Sequence, residues 1–398
     1  MFDLIIIGAG ASGLFLGANI KGKKVLILEK KDRAGIKILM SGAGRCNLTN
    51  IEDIKGFVER FNNKSFVRKC LYKFDNNKLI DYFTSRGLST YTDKNGKVFP
   101  KSDSSKDVLK LLLSECNKNG AHINYNEKVI EINKNEKFTI KTSKGEYEAK
   151  NVVIVTGGMS YPTTGSEGDG YSLAKNLGHK IINYKPALTS VNVKDYSFTE
   201  LSGISIKDSR VKIFRDTKKV MEYIGDILFT HKNISGPGVI NISREILKGD
   251  VIKISIVSDY ENEEVFRAKV KKDISESSKN IKNVLKGYEI SERLIDKIIQ
   301  LSDIDVNKKD LSKKEINRLI SNLIEFEFEV TSLDGFNKAM VTSGGIDVEG
   351  VNSKTMESKI IAGLYMAGEV LDIDGETGGY NLQFAFSSAM AIAYSIRR

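Results

Sequence analysis

The stretch DLIIIGAGASGLFLGANIKGKKVLILEK, residues 3–30, constrains the fold more than any other part of the chain. Its first apolar run is β-branched and uninterrupted up to Gly8, as expected of a strand buried on both faces. ASGLFLGANIKG continues as a helix expected to end near Gly22, and KKVLILEK reads as the next strand. Strand, helix and strand make a βαβ unit, and parallel strands of this kind belong in a doubly wound sheet. The glycines Gly8, Gly10 and Gly13 give G-x-G-x-x-G, which alone is a weak signal. Here it follows a strand and opens a helix, and Glu29 ends the second strand 21 positions (29 − 8) after Gly8. That is the context a dinucleotide fingerprint requires. Gly8 permits the tight turn, Gly10 lets the backbone approach a pyrophosphate, and Gly13 lets helix and strand pack closely. Amides free at the helix start favour phosphate charge. Glu29 is placed to accept from ribose hydroxyls and would repel a 2′-phosphate, which argues against NADP in this site.

At 398 residues the chain is too long for one ordinary core, so two or three domains are expected. SKDVLKLLLSECNKNG reads as an amphipathic helix, and AHINYNEKVIEINKNEKFTIKTSKGEYEAK as a meander of exposed antiparallel strands. NVVIVTGG is again a buried-type strand. From about residue 187 short alternating strands suggest a small barrel or sandwich, and SERLIDKIIQLSDIDVNKKDLSKKEINRLISNLIEF has helical periodicity. The first texture returns near 339, and NLQFAFSSAMAIAYSIRR reads as a closing helix. The expected architecture is therefore α/β. A Rossmann-like domain, 1–187 with 338–398, is interrupted at 188–337 by a β-rich part (188–260) and a mainly helical part (261–337).

Several classes drop out. No apolar run reaches the ~18 residues of a membrane helix. The N-terminal apolar run carries Asp3 where an export signal needs positive charge, and glycines interrupt it, so no signal peptide is expected. Three widely spaced cysteines, Cys46, Cys70 and Cys116, suit a reducing cytoplasm rather than a disulfide framework. Net charge is +10, but the lysines are spread along the chain near acidic residues. That pattern reads as a solvated surface that also suits anionic small ligands, with nucleic acid as the less favoured partner.

VVIVTGG (152–158) and GLYMAGEV (363–370) also end in small residues, so three segments bring close-approach glycines to one sheet edge, where ligands of open α/β sheets lie. An extended flavin dinucleotide fits this better than the adenosine half of NAD. GAGASG, SGAGRCNLTN, VFPKSDSSKDVL, VTGGMSYPTTGSEGDGYSLAKNLGH, LFTHKNISGPGVINIS and GLYMAGEVLDIDGETGGYNLQFAFSS run in order almost end to end. Together they resemble the BaiN-like FAD/NAD(P)-dependent flavoprotein family, which includes bile-acid-intermediate reductases and aminoacetone oxidases. The resemblance implies one FAD in a glutathione-reductase-like domain. By motif it assigns Gly8, Gly10, Ser12 and Gly13 to the pyrophosphate loop, and Glu29, with Lys30 beside it, to the ribose. Lys37, Gly42, Arg45 and Asn47 match a loop along the cofactor, Arg45 facing the diphosphate. Thr156, Gly157 and Gly158 match the returning strand, with Val129 nearby. Gly368 and Glu369 match the glycine–acid pair near the ribityl chain, and Asn381, Leu382 and Gln383 approach the ring.

SGAGRCNLTN raises the question of a redox thiol. A dithiol centre needs two cysteines close together, and Cys46 has no such neighbour, so the loop reads as a cradle. His231, in the turn-rich FTHKNISGPG, and Tyr161, in GGMSYPTTG, are substrate-pocket candidates, with loop shaping and packing as competing roles. No spacing compels a catalytic acid or base or a metal site, and none sets an oligomeric state. The expected activity is an FAD-dependent hydride transfer with a small organic substrate, held between the flavin and the inserted domain. NADH or NADPH is the favoured reductant, an oxygen-dependent amine oxidase the alternative. A flavin-containing RNA-binding or RNA-modifying protein, motivated by the +10 charge, is the alternative from another class.

Overall fold

The computed structural model describes residues 1–257, 262–277, 279–308 and 310–396. It divides into two compact units, Met1–Pro186 with Phe336–Arg398, and Ala187–Gly335.

In the first unit, Phe2–Ile7 pairs in parallel with Val25–Leu28 on one side and with Glu146–Ile154 on the other. His122–Asn124 extends the sheet in parallel beyond Val25–Leu28, and Leu364–Met366 adds in parallel to Glu146–Ile154. Val129–Lys134 and Phe138–Thr142 form the antiparallel meander. Two expectations are corrected here. His122–Asn124 belongs to the parallel layer, because its carbonyl edge continues the ladder from Val25–Leu28. The meander's last strand and NVVIVTGG are a single strand, Glu146–Ile154. Its first half pairs with the meander and is only partly buried, while its second half is buried between parallel neighbours.

The first helix, Ala11–Gly17, ends earlier than its apolar pattern suggests. The Asn19 amide donates to the Phe15 carbonyl at 2.7 Å, a side-chain competitor that closes the last turn. Phe15 anchors an aromatic cluster with Tyr82 (4.6 Å between centroids), Phe386 (4.8 Å) and Phe74 (5.6 Å). Phe386 comes from the closing helix Tyr380–Ile396, which is apolar on nearly every face and buried along most of its length. A helix of that composition is stable only inside a core. That burial fixes where its first turn points.

The second unit is a closed six-stranded barrel. Around it run Val191–Val193, Ile234–Ser235, Lys218–Phe229, Ser205–Arg215, Val251–Ile254 and Phe326–Leu333. Phe326–Leu333 falls in the stretch read as mainly helical. Its FEFE alternation turns Phe328 inward, and its pairing with both Val251–Ile254 and Val191–Val193 closes the barrel. Phe198 fills the interior against Phe229, Phe326 and Phe328. The helices Glu263–Ser275, Ile281–Leu285, Glu292–Leu301 and Lys313–Ile324 precede that strand, the last opened by a Ser312/Glu315 capping box. No helix among the described residues is long and apolar enough to cross a membrane.

Candidate functional site

A long cavity lies in the first unit along the carboxyl edge of the parallel sheet. Its floor is the fingerprint, from Ile7 to Ser12, flanked by Leu28–Lys30 and by Val155–Gly157. Val129, Glu369, Asn381 and Leu382 complete its walls.

The three fingerprint glycines differ in what demands them. Gly8 has φ +110°, and a Cβ there would sit 2.6 Å from the Val155 carbonyl oxygen. A Cβ on Gly13 would run into the Gly8 carbonyl oxygen. Both are required by the fold itself. Gly10 lines the cavity, yet a Cβ there would meet nothing within 4 Å. Its bareness serves the cavity, which is the fit expected of a ligand that approaches the backbone closely. Thr156 Oγ1, on the opposite wall, is buried without a hydrogen-bond partner. It packs against Gly170, where a Cβ would strike it, so this hydroxyl is turned into the wall and the residue lines the cavity by its other atoms. The bare Gly10 and the length of the cavity along the sheet edge match an extended dinucleotide.

Glu29 stands at the tip of its strand with both oxygens engaged. Ala9 N–H donates to Oε2 at 2.9 Å and Lys31 N–H to Oε1 at 2.8 Å. The backbone thus fixes the carboxylate at the cavity wall, with acceptor capacity left over. Lys30 beside it is bonded to Asp169 and, at 2.7 Å, to Glu167. Burial opposes its charge, but the two carboxylates outweigh that and hold its pKa above the ordinary lysine value. Sequence reasoning missed Asp169, which has no spacing signal and enters because GSEGDG folds back over this end.

A second polar cluster joins four distant segments. Lys37 Nζ donates to Ser160 Oγ and to Glu369 Oε2, both at 2.6 Å. Ser160 Oγ and Thr342 N–H donate to Glu369 Oε1 at 2.8 and 3.0 Å. Thr342 Oγ1 in turn accepts from Met159 N–H at 2.7 Å, pinning the loop after the paired glycines. Gly158 and Gly368 lie behind this wall. A Cβ on Gly158 would strike Thr342 Oγ1, and one on Gly368 would strike Ser12 Oγ. These two glycines are packing positions that let the walls approach one another.

Besides Gly13, Gly158 and Gly368, four further expected contacts, Gln383, Arg45, Asn47 and Gly42, do not line the cavity. Gln383 points away, since a residue 200° around the helix from Asn381 faces the opposite side. Its Nε2 donates to the Phe74 carbonyl at 3.2 Å and to Ser387 Oγ at 2.9 Å. Arg45 is exposed, with its guanidinium 4.6 Å over the Phe99 ring. Asn47 and Gly42 are off the wall too, and Asn47 Oδ1 is buried without a partner. Asn381 does line the cavity, but its amide is spent on Gly375, with both bonds at 2.8 Å. Tyr161 holds a left-handed backbone (φ +53°) and its N–H donates to the Phe336 carbonyl; it too is outside the lining. His231 belongs to the second unit and is exposed in the turn after Lys218–Phe229. The close approaches in its motif are Gly236 and Gly238 against the neighbouring strand, so the motif shapes the barrel.

All three cysteines are free and buried. Burial pushes the Cys46 thiol up to about 12, with Cys70 and Cys116 likewise at about 12. A thiol of that kind is neither nucleophile nor electron carrier at neutral pH. Among the described residues no cluster has the makings of a metal site.

The family described as HI0933-like protein Rossmann domain matches residues 2–395. The chain is 32% identical to the ribosomal RNA dihydrouridine synthase of Haemophilus influenzae, over 99% of this chain and 98% of that one. It is 31% identical to the 3-dehydro-bile acid delta(4,6)-reductase of Clostridium scindens, over 96% of each. Among solved structures, a flavocytochrome c3 fumarate reductase aligns with TM-score 0.51 at 14% identity, covering 99% of this chain and 78% of that one. A Rhodococcus jostii 3-ketosteroid-delta4-(5alpha)-dehydrogenase aligns with TM-score 0.50 at 13% identity, covering 100% and 97%. The structural likenesses establish the Rossmann-like fold of such flavoenzymes and nothing about substrate.

Proposed function

The chain belongs to the HI0933-like Rossmann-domain family, and on that premise we propose that it is an FAD-dependent reductase of a carbon–carbon double bond conjugated to a carbonyl, acting on uridine in ribosomal RNA. The observation that carries the cofactor is Gly10, a bare residue that no protein atom requires, facing a cavity bounded by Glu29 and Thr156. FAD supplies the hydride chemistry when bound. Glu29 would hold the ribose hydroxyls, and the amides at the helix start beside Gly10 would receive the diphosphate. Lys30 and Lys37 are each neutralised by a carboxylate partner, so backbone dipoles carry most of that duty. The Lys37–Glu369–Ser160 cluster keeps a charged but balanced wall beside the ribityl and ring region. The first two turns of Tyr380–Ile396 present Leu382 and Ala385 as an apolar surface that excludes water.

The substrate class rests on relatives. Dihydrouridine formation and delta(4,6) reduction both saturate a carbon–carbon double bond next to a carbonyl, and the former is the activity named in relatives matched over 99% of this chain in two organisms. A cationic chain suits a polyanionic substrate. Purified protein should be yellow and should bleach anaerobically with NADH or NADPH. Adding protein-free ribosomal RNA should then restore the flavin absorbance and yield, after digestion, a nucleoside two hydrogens heavier than uridine. A second reading, favoured by the Clostridium scindens relative, is reduction of a small conjugated enone. Reoxidation by such an enone, with no response to RNA, would select it. Bleaching by aminoacetone but by neither nicotinamide would remove both reductase readings in favour of the oxidase.

A further inference from the structure

We propose that Arg45 is a contact for an RNA phosphate, and that Arg45, held in place by the buried Phe99 ring and the half-buried Tyr91, forms a fixed ledge at which a single-stranded RNA segment docks beside the cavity rim. This rests on the ribosomal RNA reading above.

Arg45 is an odd arginine. It is exposed and makes no ion pair among the described residues, yet it is held in place. Its guanidinium lies over the Phe99 ring, and Phe99 stacks on Tyr91 at 5.8 Å with 27° between planes. Tyr91 OH donates to Asp103 at 2.6 Å and also meets the Arg45 guanidinium, which locks the stack. Stacking occupies the face of a guanidinium and leaves donors at its edges for a phosphate fork.

The backbone that carries Arg45 is strained. Gly42, Ala43, Gly44 and Cys46 all have positive φ, between +56° and +85°. Two of the four are not glycine, and each such residue costs on the order of 1 kcal/mol. A buried Cys46, whose N–H donates to the Ser41 carbonyl at 3.0 Å, closes the loop. Ser41 lines the cavity, so the loop sets Arg45 next to the rim with its side chain turned outward. Strain kept at such a place marks a residue whose direction matters.

The charge distribution agrees. Residues 187–335 carry 25 Lys and Arg against 25 Asp and Glu, so the whole +10 belongs to the unit with the cavity. Lys94, Lys97 and Lys101 lie on or beside the hairpin that supplies Tyr91 and Phe99. Arginine is a usual contact for unstacked RNA, and a uridine must leave its stack to be reduced; here the exposed group is Arg45, with Phe99 buried behind it.

The test uses the full-length holoenzyme and protein-free ribosomal RNA, with binding measured across a potassium chloride series. Arg45→Gln should bind about tenfold more weakly, and its log–log salt slope should fall by about one. Arg45→Lys should keep the slope and lose only part of the affinity, while exposed Lys271→Gln on Glu263–Ser275 should match the wild type. Flavin per mole should be unchanged in all. Lower flavin content in Arg45→Gln with unaltered RNA binding would return Arg45 to the coenzyme and overturn the ledge. Equal RNA binding by wild type and Arg45→Gln would overturn the ledge while leaving the substrate reading intact. No retention of RNA by the wild type at low salt would remove both.

Discussion

Residue by residue, the site separates glycines that the fold needs from the one that a ligand needs. Gly13→Ala should destabilise the protein by about 1–3 kcal/mol, since its methyl has nowhere to go but the Gly8 carbonyl. Gly10→Ala should leave the melting temperature of flavin-free protein unchanged and lower flavin occupancy severalfold, read as absorbance per mole. If both variants melted like the wild type and stayed yellow, the close-approach argument would fail. Gln383 tests the corrected wall. Ser387 Oγ already donates to the Phe74 carbonyl at 2.6 Å, and Gln383 Oε1 is buried without a partner. Gln383→Leu should therefore be near neutral in stability and in flavin content; a colourless variant would restore Gln383 to the ring contacts. The buried His179 gives a pH signature. Burial holds its pKa below the ordinary histidine value while Nε2 meets Ser358 Oγ at 2.9 Å. The unfolded chain then binds the proton first as pH falls, so stability present above about pH 6.5 declines below it. Calorimetry should show the advantage of wild type over His179→Asn shrinking between pH 7.5 and 5.

At the scale of elements, the legible parts were those whose periodicity and burial agree. Leu4–Ile7 and Val25–Leu28 are apolar throughout because both faces are covered, and Tyr380–Ile396 is apolar on nearly every face because it is a core helix. Glu146–Ile154 was harder: one strand carries an exposed half and a buried half, so its pattern reads as two elements. Phe326–Leu333 was hidden behind a helical run, although its FEFE alternation was visible. The loop 41–46 was legible as unusual and illegible in direction. Its glycines announced positive φ, but which way Arg45 would turn depended on a ring 54 positions (99 − 45) further along the chain.

For the whole molecule, the barrel unit has its own core, and the ends of its segment meet through Asp334 N–H donating to the Ser190 carbonyl at 2.9 Å. Residues 187–335 expressed alone should unfold cooperatively in urea and bind no flavin. A molten or insoluble product would mean that the unit depends on the rest of the chain. The sequence by itself determined the βαβ start, the cavity floor and Glu29, because the fingerprint is local: turn, helix start and next strand tip lie within thirty residues. It also led to the expectation of an insertion between two parts of one sheet, and Leu364–Met366 pairs with Glu146–Ile154. Only the tertiary structure decided which of the remaining motif residues face the cavity. Glu369, Lys37 and Ser160 meet across more than three hundred residues, while Arg45 and Gln383 turn away. Orientation at those positions is set by packing against distant partners, and local spacing carries no record of it.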